Sequence, residues 1–250
     1  MEEQRKLRVL CLHGFYSNVD VMKVQIDYYQ HIFGDFVQFE YVNGPVRIPE
    51  DIVVDPIVAK MFQGPFYGWF DMRKLGTGQE KESFEESYEI LYKYIEENGP
   101  YDGIFAFSQA CMFARCLVKG KDIGFSTLTH PFKFMILAAA RLPKTFPHKD
   151  EITYNFSIPV LNIFDENDTY NEGFALDYCT KGESTLIKHH KGHRVPRLID
   201  GDMKVFIDFI NTQYFRKFGD EMKLSFEIDQ GFLNEYMEQK TSAKPKRSKI

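Results

Sequence analysis

Asp102-Gly103-Ile104-Phe105-Ala106-Phe107-Ser108-Gln109-Ala110-Cys111 is an apolar run of strand character that passes through a small-x-Ser-x-small turn into a helical pattern. A serine on so tight a strand-to-helix turn is held in a strained backbone conformation. The residues two before and two after it must therefore be small enough for the chains to pass. Ala106 and Ala110 meet that demand less well than glycines do. The same turn sets the backbone N–H of Gln109 at a helix amino end, where it can stabilise an oxyanion on a substrate carbonyl. A serine here also reads as an ordinary helix N-cap, so its assignment as a nucleophile depends on the company it keeps.

Outward from this turn, strand-like and helix-like stretches alternate. Arg8 to His13 is apolar, a helical pattern runs from Asn18 to Phe33 with Ser17 and Asp20 placed as a capping box, and Phe36 to Val42 follows as a second strand. Asn43 to Glu82 is polar, carries Gly and Pro, and holds the aromatic segment Pro65-Phe66-Tyr67-Gly68-Trp69-Phe70. Its length marks a loop with short helices that covers an active site. Ser83-Phe84-Glu85-Glu86 reads as a capping box, Phe84, Tyr88, Leu91, Tyr92 and Ile95 share one helical face, and Asn98-Gly99-Pro100 stops the helix. Downstream, Lys133 to Ala139, Pro159 to Phe164 and Thr185 to His189 are strand-like. They alternate with helical segments after Ser108, around Phe174 to Cys179, and from Arg197 to Phe215. The alternation predicts an α/β domain over residues 7–217, with a mostly parallel sheet of about six strands and helices on both faces. Residues 218–239 are expected to form a helical extension and 240–250 a flexible basic tail.

Composition narrows the function. Apolar residues at 44% and charged residues at 27% are those of a globular chain, and 24 Phe and 14 Tyr supply aromatic bulk for a core or an acyl-sized pocket. No apolar run approaches the roughly 18 residues of a membrane span, and the amino end lacks the apolar segment of a signal peptide, so a cytoplasmic protein is expected. Lys240, Lys244, Lys246, Arg247 and Lys249 fall in the last eleven residues with no acid. The first 239 residues thus carry 26 basic against 36 acidic side chains, a net −10, which repels nucleic acid. Cys11, Cys111, Cys116 and Cys179 form no C-x-x-C pair and read as reduced thiols, and His189, His190 and His193 lack the companions of a zinc site.

The company of Ser108 arrives in the chain order serine, acid, histidine. Pro159 to Phe164 delivers an apolar strand straight into Asp165-Glu166-Asn167-Asp168. Asp168 is the favoured acid, because a few residues must pass before a side chain points back to the sheet edge; Asp165 and Glu166 are its competitors. After the last strand, Gly192 frees the backbone of a loop and Pro196 can open the next helix, which singles out His193, while His189 and His190 read as strand-end residues. In this arrangement His193 deprotonates Ser108 and Asp168 orients the imidazole. A second oxyanion donor is expected from the N–H of Phe15 or Tyr16, after His13-Gly14, where the glycine permits close approach.

Taken together, these motifs resemble the fungal family of serine hydrolases and the related ovarian-cancer-associated hydrolase, within the α/β-hydrolases. The likeness covers most of residues 7–217 and rests on several ordered segments. These are Val9 to Phe15, Phe39 to Pro45, Pro65 to Phe70, Gly103 to Ala110, Phe132-Lys133-Phe134, Pro159 to Asp168, and Gly192 to Pro196. The resemblance implies that Ser108, Asp168 and His193 are the triad of an esterase that needs no metal or organic cofactor and acts on a small-molecule ester. One departure stands out: the family carries G-F-S-Q-G where this chain has Ala106-Phe107-Ser108-Gln109-Ala110. The two added methyl groups are expected to narrow the turn's tolerance or slow turnover rather than abolish it.

Phe62, Phe66, Tyr67, Trp69 and Phe70 are candidates for an apolar substrate pocket, with Phe66, Tyr67 and Trp69 foremost; core packing beneath the loop is the other reading. Thioesters are a neighbouring substrate class. A silent hydrolase fold acting as a ligand-binding or interaction module is the alternative that the two alanines raise. The ending Ser248-Lys249-Ile250 approaches the peroxisomal address S-K-L, or is simply a solvated basic tail.

Overall fold

The structure is a computed structural model and describes residues 5–52, 56–74, 77–124, 129–140, 156–165, 167–168 and 184–224. Its centre is a six-stranded sheet made of β1 (Leu7–Leu12), β2 (Val37–Val42), β5 (Gly103–Phe107), β6 (Phe134–Ala138), β7 (Val160–Asp165) and β8 (Ser184–His189), in the spatial order β2-β1-β5-β6-β7-β8. Every pairing in it is parallel. The expected parallel sheet is therefore present, and each of its strands lies within a residue of the stretch read from the sequence.

Alternation along the strands divides the core into two layers, because successive side chains of a strand point to opposite faces. Leu10, Leu12, Ile104, Ala106, Met135 and Leu137 pack on α3 (Glu80–Asn98) and α4 (Gln109–Lys119). Val9, Cys11, Phe105, Phe107, Ile136, Leu161 and Ile163 pack on α1 (Val19–Phe33) and α5 (Asp200–Phe218). Aromatic rings fill both layers. Phe113 of α4 lies stacked near Trp69, Phe84 and Tyr88, while Tyr29 of α1 stacks on Phe206 of α5 at 4.7 Å.

The stretch from 43 to 82 carries more order than a covering loop requires. It holds the short strands β3 (Val46–Arg47) and β4 (Tyr67–Gly68), paired antiparallel, together with α2 (Pro56–Met61) and a 3-10 turn at Met72–Lys74. Ser17 N–H donates to the Tyr67 carbonyl and Tyr67 N–H to that of Ser17, so β4 is laced to the loop after β1.

Three expected boundaries are corrected. Asn18, not Ser17, caps α1, its Oδ1 accepting the N–H groups of Asp20 and Val21. The capping box at Ser83 gives way to a helix that starts at Glu80, because the Ser83 hydroxyl is spent on the Asp71 N–H. Pro196 does not open α5, which starts at Asp200. Hydroxyls of Tyr29 and Tyr28 donate to the Pro196 and Leu198 carbonyls and hold that segment outside the helix. The helix placed around Phe174 to Cys179, the larger part of the extension at 218–239, and the tail with Ser248-Lys249-Ile250 lie outside the described residues.

Gly103 is the tightest point of β5. A Cβ there would lie 2.3 Å from two carbons of the Phe134 ring on the neighbouring strand, closer than any real contact. Gly103→Ala should therefore lower stability by about 1–3 kcal/mol through overpacking. A thermal midpoint equal to that of the unaltered protein would contradict this packing.

Candidate active site

The sheet changes direction of growth between β1 and β5: the chain moves outward from β1 to β2, then resumes on the other side of β1. Loops leaving the carboxyl ends of two such strands diverge and open a crevice, the usual place for a ligand in an open α/β sheet. The turn into α4 and the loop after β1 meet there. A Cβ added to Gly14 would lie 2.9 Å from the Phe107 ring and 3.3 Å from Cβ of Ser108, so only glycine lets the two loops come this close.

Ser108 occupies the turn between β5 and α4 at φ 54° and ψ −116°. Its N–H donates to the Ala138 carbonyl at 3.0 Å. Ala106 and Ala110 are fully buried, and the turn accommodates both of their methyl groups. Ser108 Oγ lies 2.8 Å from His193 Nε2, and His193 Nδ1 lies 2.6 Å from Asp168 Oδ2. With the ring proton on Nδ1, the imidazole donates to the carboxylate and accepts from the hydroxyl. The Asp168 side chain is 1% exposed and that of His193 19%, so the acid is shielded while the base faces the crevice.

Of the competing acids, Asp165 lies at the end of β7 with its carboxylate turned to backbone N–H groups, and Glu166 lies outside the described residues. His189 ends β8, is buried, and accepts the Lys191 N–H on Nδ1. Its pKa is lowered, chiefly by burial, against the opposing pull of Asp165. Cys111, three residues beyond Ser108, is no rival nucleophile: burial pushes its thiol up to about 12.

Gln109 opens α4. Among the described residues its N–H has no acceptor, and neither have those of Phe15 and Tyr16. Tyr16 holds φ 54°, a strained value for a bulky residue, and is braced by its hydroxyl on the Ile52 carbonyl and by the Phe66 ring at 5.0 Å. The side chain of Gln109 has a role that the sequence did not reveal. Its Oε1 accepts the Trp69 N–H at 2.9 Å and its Nε2 donates to the Phe70 carbonyl at 3.1 Å, clamping the 65–70 segment to the nucleophile turn.

Trp69 is correspondingly not a pocket residue. It is 1% exposed, packs on Phe113, and its Nε1–H donates to the His13 carbonyl. Phe70 is likewise core, whereas Phe62, Phe66 and Tyr67 are half-buried and Phe15 is exposed. The fully buried His13 completes the scaffold: its Nδ1 bonds the Gly14 carbonyl and its Nε2 accepts the Gly44 N–H, tying the loop after β1 to the turn before β3.

A parallel sheet with helices on both faces, and with serine, acid and histidine after β5, β7 and β8 at its carboxyl edge, is the architecture of an α/β-hydrolase. A family model described as serine hydrolase (FSH1) matches residues 1–205, and the chain belongs to that family. An esterase of Caenorhabditis elegans is 28% identical over 229 residues, covering 87% of this chain and 98% of its own length. The hydrolase phiM of a fungal species is 30% identical over 208 residues, covering 76% and 86% respectively. Among solved structures, a carboxylesterase from Mesorhizobium loti shares the fold at a TM-score of 0.55 and 13% identity, covering 84% of this chain and 89% of that one.

Burial lowers the pKa of His13 from 6.5 to about 4, against a smaller opposing effect of the Gly14 carbonyl. Between those values the unfolded chain binds a proton that the folded one does not. The stabilisation from a neutral His13 is therefore complete above pH 6.5 and is lost as pH falls toward 4, by about 3 kcal/mol in all. His13→Gln should flatten this slope in denaturant titrations between pH 7.5 and 4. Equal slopes in the two proteins would contradict the assignment.

Proposed function

We propose that the protein is a serine esterase that cleaves carboxylic esters of small or lipid-like acyl groups through an acyl-serine intermediate. The observation that carries this is the continuous relay of 2.8 Å and 2.6 Å from Ser108 through His193 to Asp168. Its support includes membership of a serine hydrolase family and the esterase name of the Caenorhabditis elegans relative.

In this reading His193 Nε2 takes the Ser108 proton as Oγ forms its bond to the acyl carbon, and the carbonyl electron pair moves onto oxygen. Donors for that oxyanion are the N–H of Gln109, at the head of α4, and the N–H of Phe15 or Tyr16 across the crevice. The intermediate collapses, the ester C–O bond breaks, and the imidazolium returns the proton to the departing alkoxide. Water repeats the sequence on the acyl-serine and frees the acid. Asp168 keeps the ring in the required tautomer and balances its transient charge. The exposed Phe15 and half-buried Phe66 and Tyr67 offer apolar surface for the acyl group. The same nucleophile and oxyanion donors serve a thioester.

Fluorophosphonate labelling followed by peptide mapping tests the reading. The probe should attach to Ser108 and leave Ser108→Ala unmodified. A folded parent protein that takes up no label would instead favour a silent binding module. In assays with paired ester and thioester substrates, His193→Ala should reduce kcat at least ~10³-fold. Retention of most of the turnover would remove His193 from the mechanism.

A further inference from the structure

Asp165 ends β7, is 2% exposed, and stands outside the relay itself. Its two carboxylate oxygens are divided between the two loops that carry the relay's acid and base. Oδ1 accepts the Asn167 N–H at 2.8 Å, and the Asp165 carbonyl accepts the Asp168 N–H at 3.2 Å, which folds the chain back toward the sheet edge at Asp168. Oδ2 accepts the N–H of Gly192 at 2.6 Å, one residue before His193. Gly192 stands at φ 74°, a conformation that glycine adopts without strain. β7 and β8 are paired with Asp165 opposite His189, so both loops leave the sheet side by side. His189 Nδ1 is 3.8 Å from the same Oδ2 and accepts the Lys191 N–H at 3.2 Å, closing the turn that leads to Gly192.

We propose that Asp165 is a positioning residue of the hydrolase, whose two oxygens set the distance between Asp168 and His193. The chemistry of the partners calls for a carboxylate. Both are backbone N–H donors, and an ionised acceptor binds such donors in shorter, stronger bonds than a neutral one. An amide supplies a single acceptor oxygen and would turn an NH2 group onto the other N–H, leaving buried polar groups unsatisfied. Burial acts to raise the Asp165 pKa, but the N–H groups of Gly192 and Asn167 and the His189 ring outweigh it and hold the group ionised. The effect on turnover rests on the esterase reading above; the effect on the Asp168–His193 contact does not.

The experiment therefore reads that contact in the resting protein. Proton NMR should show a low-field resonance from the His193 Nδ1 proton, identified by its loss in His193→Ala. In Asp165→Asn, with circular dichroism showing the fold intact, this resonance should disappear or exchange with water at least about tenfold faster. On p-nitrophenyl butyrate the same variant should lose about ten- to a hundredfold in kcat, with KM changed less than about twofold, as for a misplaced rather than absent base. A folded Asp165→Asn protein whose resonance keeps its position and exchange rate overturns the proposal, whatever the ester assay reports. Amide hydrogen exchange in the unaltered protein decides the case in which that variant fails to fold. The Gly192 N–H should exchange slowly, and exchange at the rate of an unstructured peptide would overturn the proposal equally.

Discussion

Ser108 is held at φ 54°, ψ −116°, a backbone conformation that costs a non-glycine residue on the order of 1–3 kcal/mol. The cost is met by what lies on either side. β5 is buried along its whole length between β1 and β6, and α4 is buried from Gln109 to Val118, so neither element can rotate to relax the turn between them. The strained turn carries Ser Oγ clear of the sheet and leaves the first N–H of α4 without an acceptor among the described residues. Both features are what attack on a carbonyl requires. Alanine in place of glycine at 106 and 110 adds two methyl groups, and both are absorbed into the buried layer beside Leu12, Leu137 and Cys111 rather than into the crevice.

The crevice wall opposite Ser108 is built by polar groups satisfied in chain. His13 bonds Gly14 and Gly44, Trp69 bonds the His13 carbonyl, and Gln109 bonds Trp69 and Phe70. The loop after β1, the 65–70 segment and the turn at Ser108 thereby share one buried network. Such a network is rigid only while every member is paired, since a lone buried donor or acceptor in low dielectric is expensive. In the proposed mechanism, substrate meets a preformed wall whose N–H donors need no reorganisation as charge develops.

Two aspartates three positions apart in sequence, Asp165 and Asp168, share the turn that leaves β7. Asp168 gives its carboxylate to the His193 imidazole, whereas Asp165 gives its own to the backbone N–H groups of Asn167 and Gly192, with the His189 ring 3.8 Å away. Proximity in sequence thus conceals a division between the acid that meets the imidazole and the acid that ties the loops together.

Periodicity and order carried most of this fold. The buried parallel strands read as continuous apolar runs, β5 occupies the apolar run that leads into Ser108, and the face Phe84, Tyr88, Leu91, Tyr92, Ile95 is buried as its spacing implied, because both signals arise from local backbone geometry. The order serine, acid, histidine along the chain likewise singled out Ser108, Asp168 and His193, since each lies within four residues of the carboxyl end of a strand. What depended on partners distant in sequence was not legible: the Ser83 hydroxyl turned to Asp71, Pro196 held by Tyr29, and Trp69 drawn into the core by His13 and Gln109. A side chain with several local bonding options chooses among them by what the rest of the chain brings within reach, and only the packed structure makes that choice.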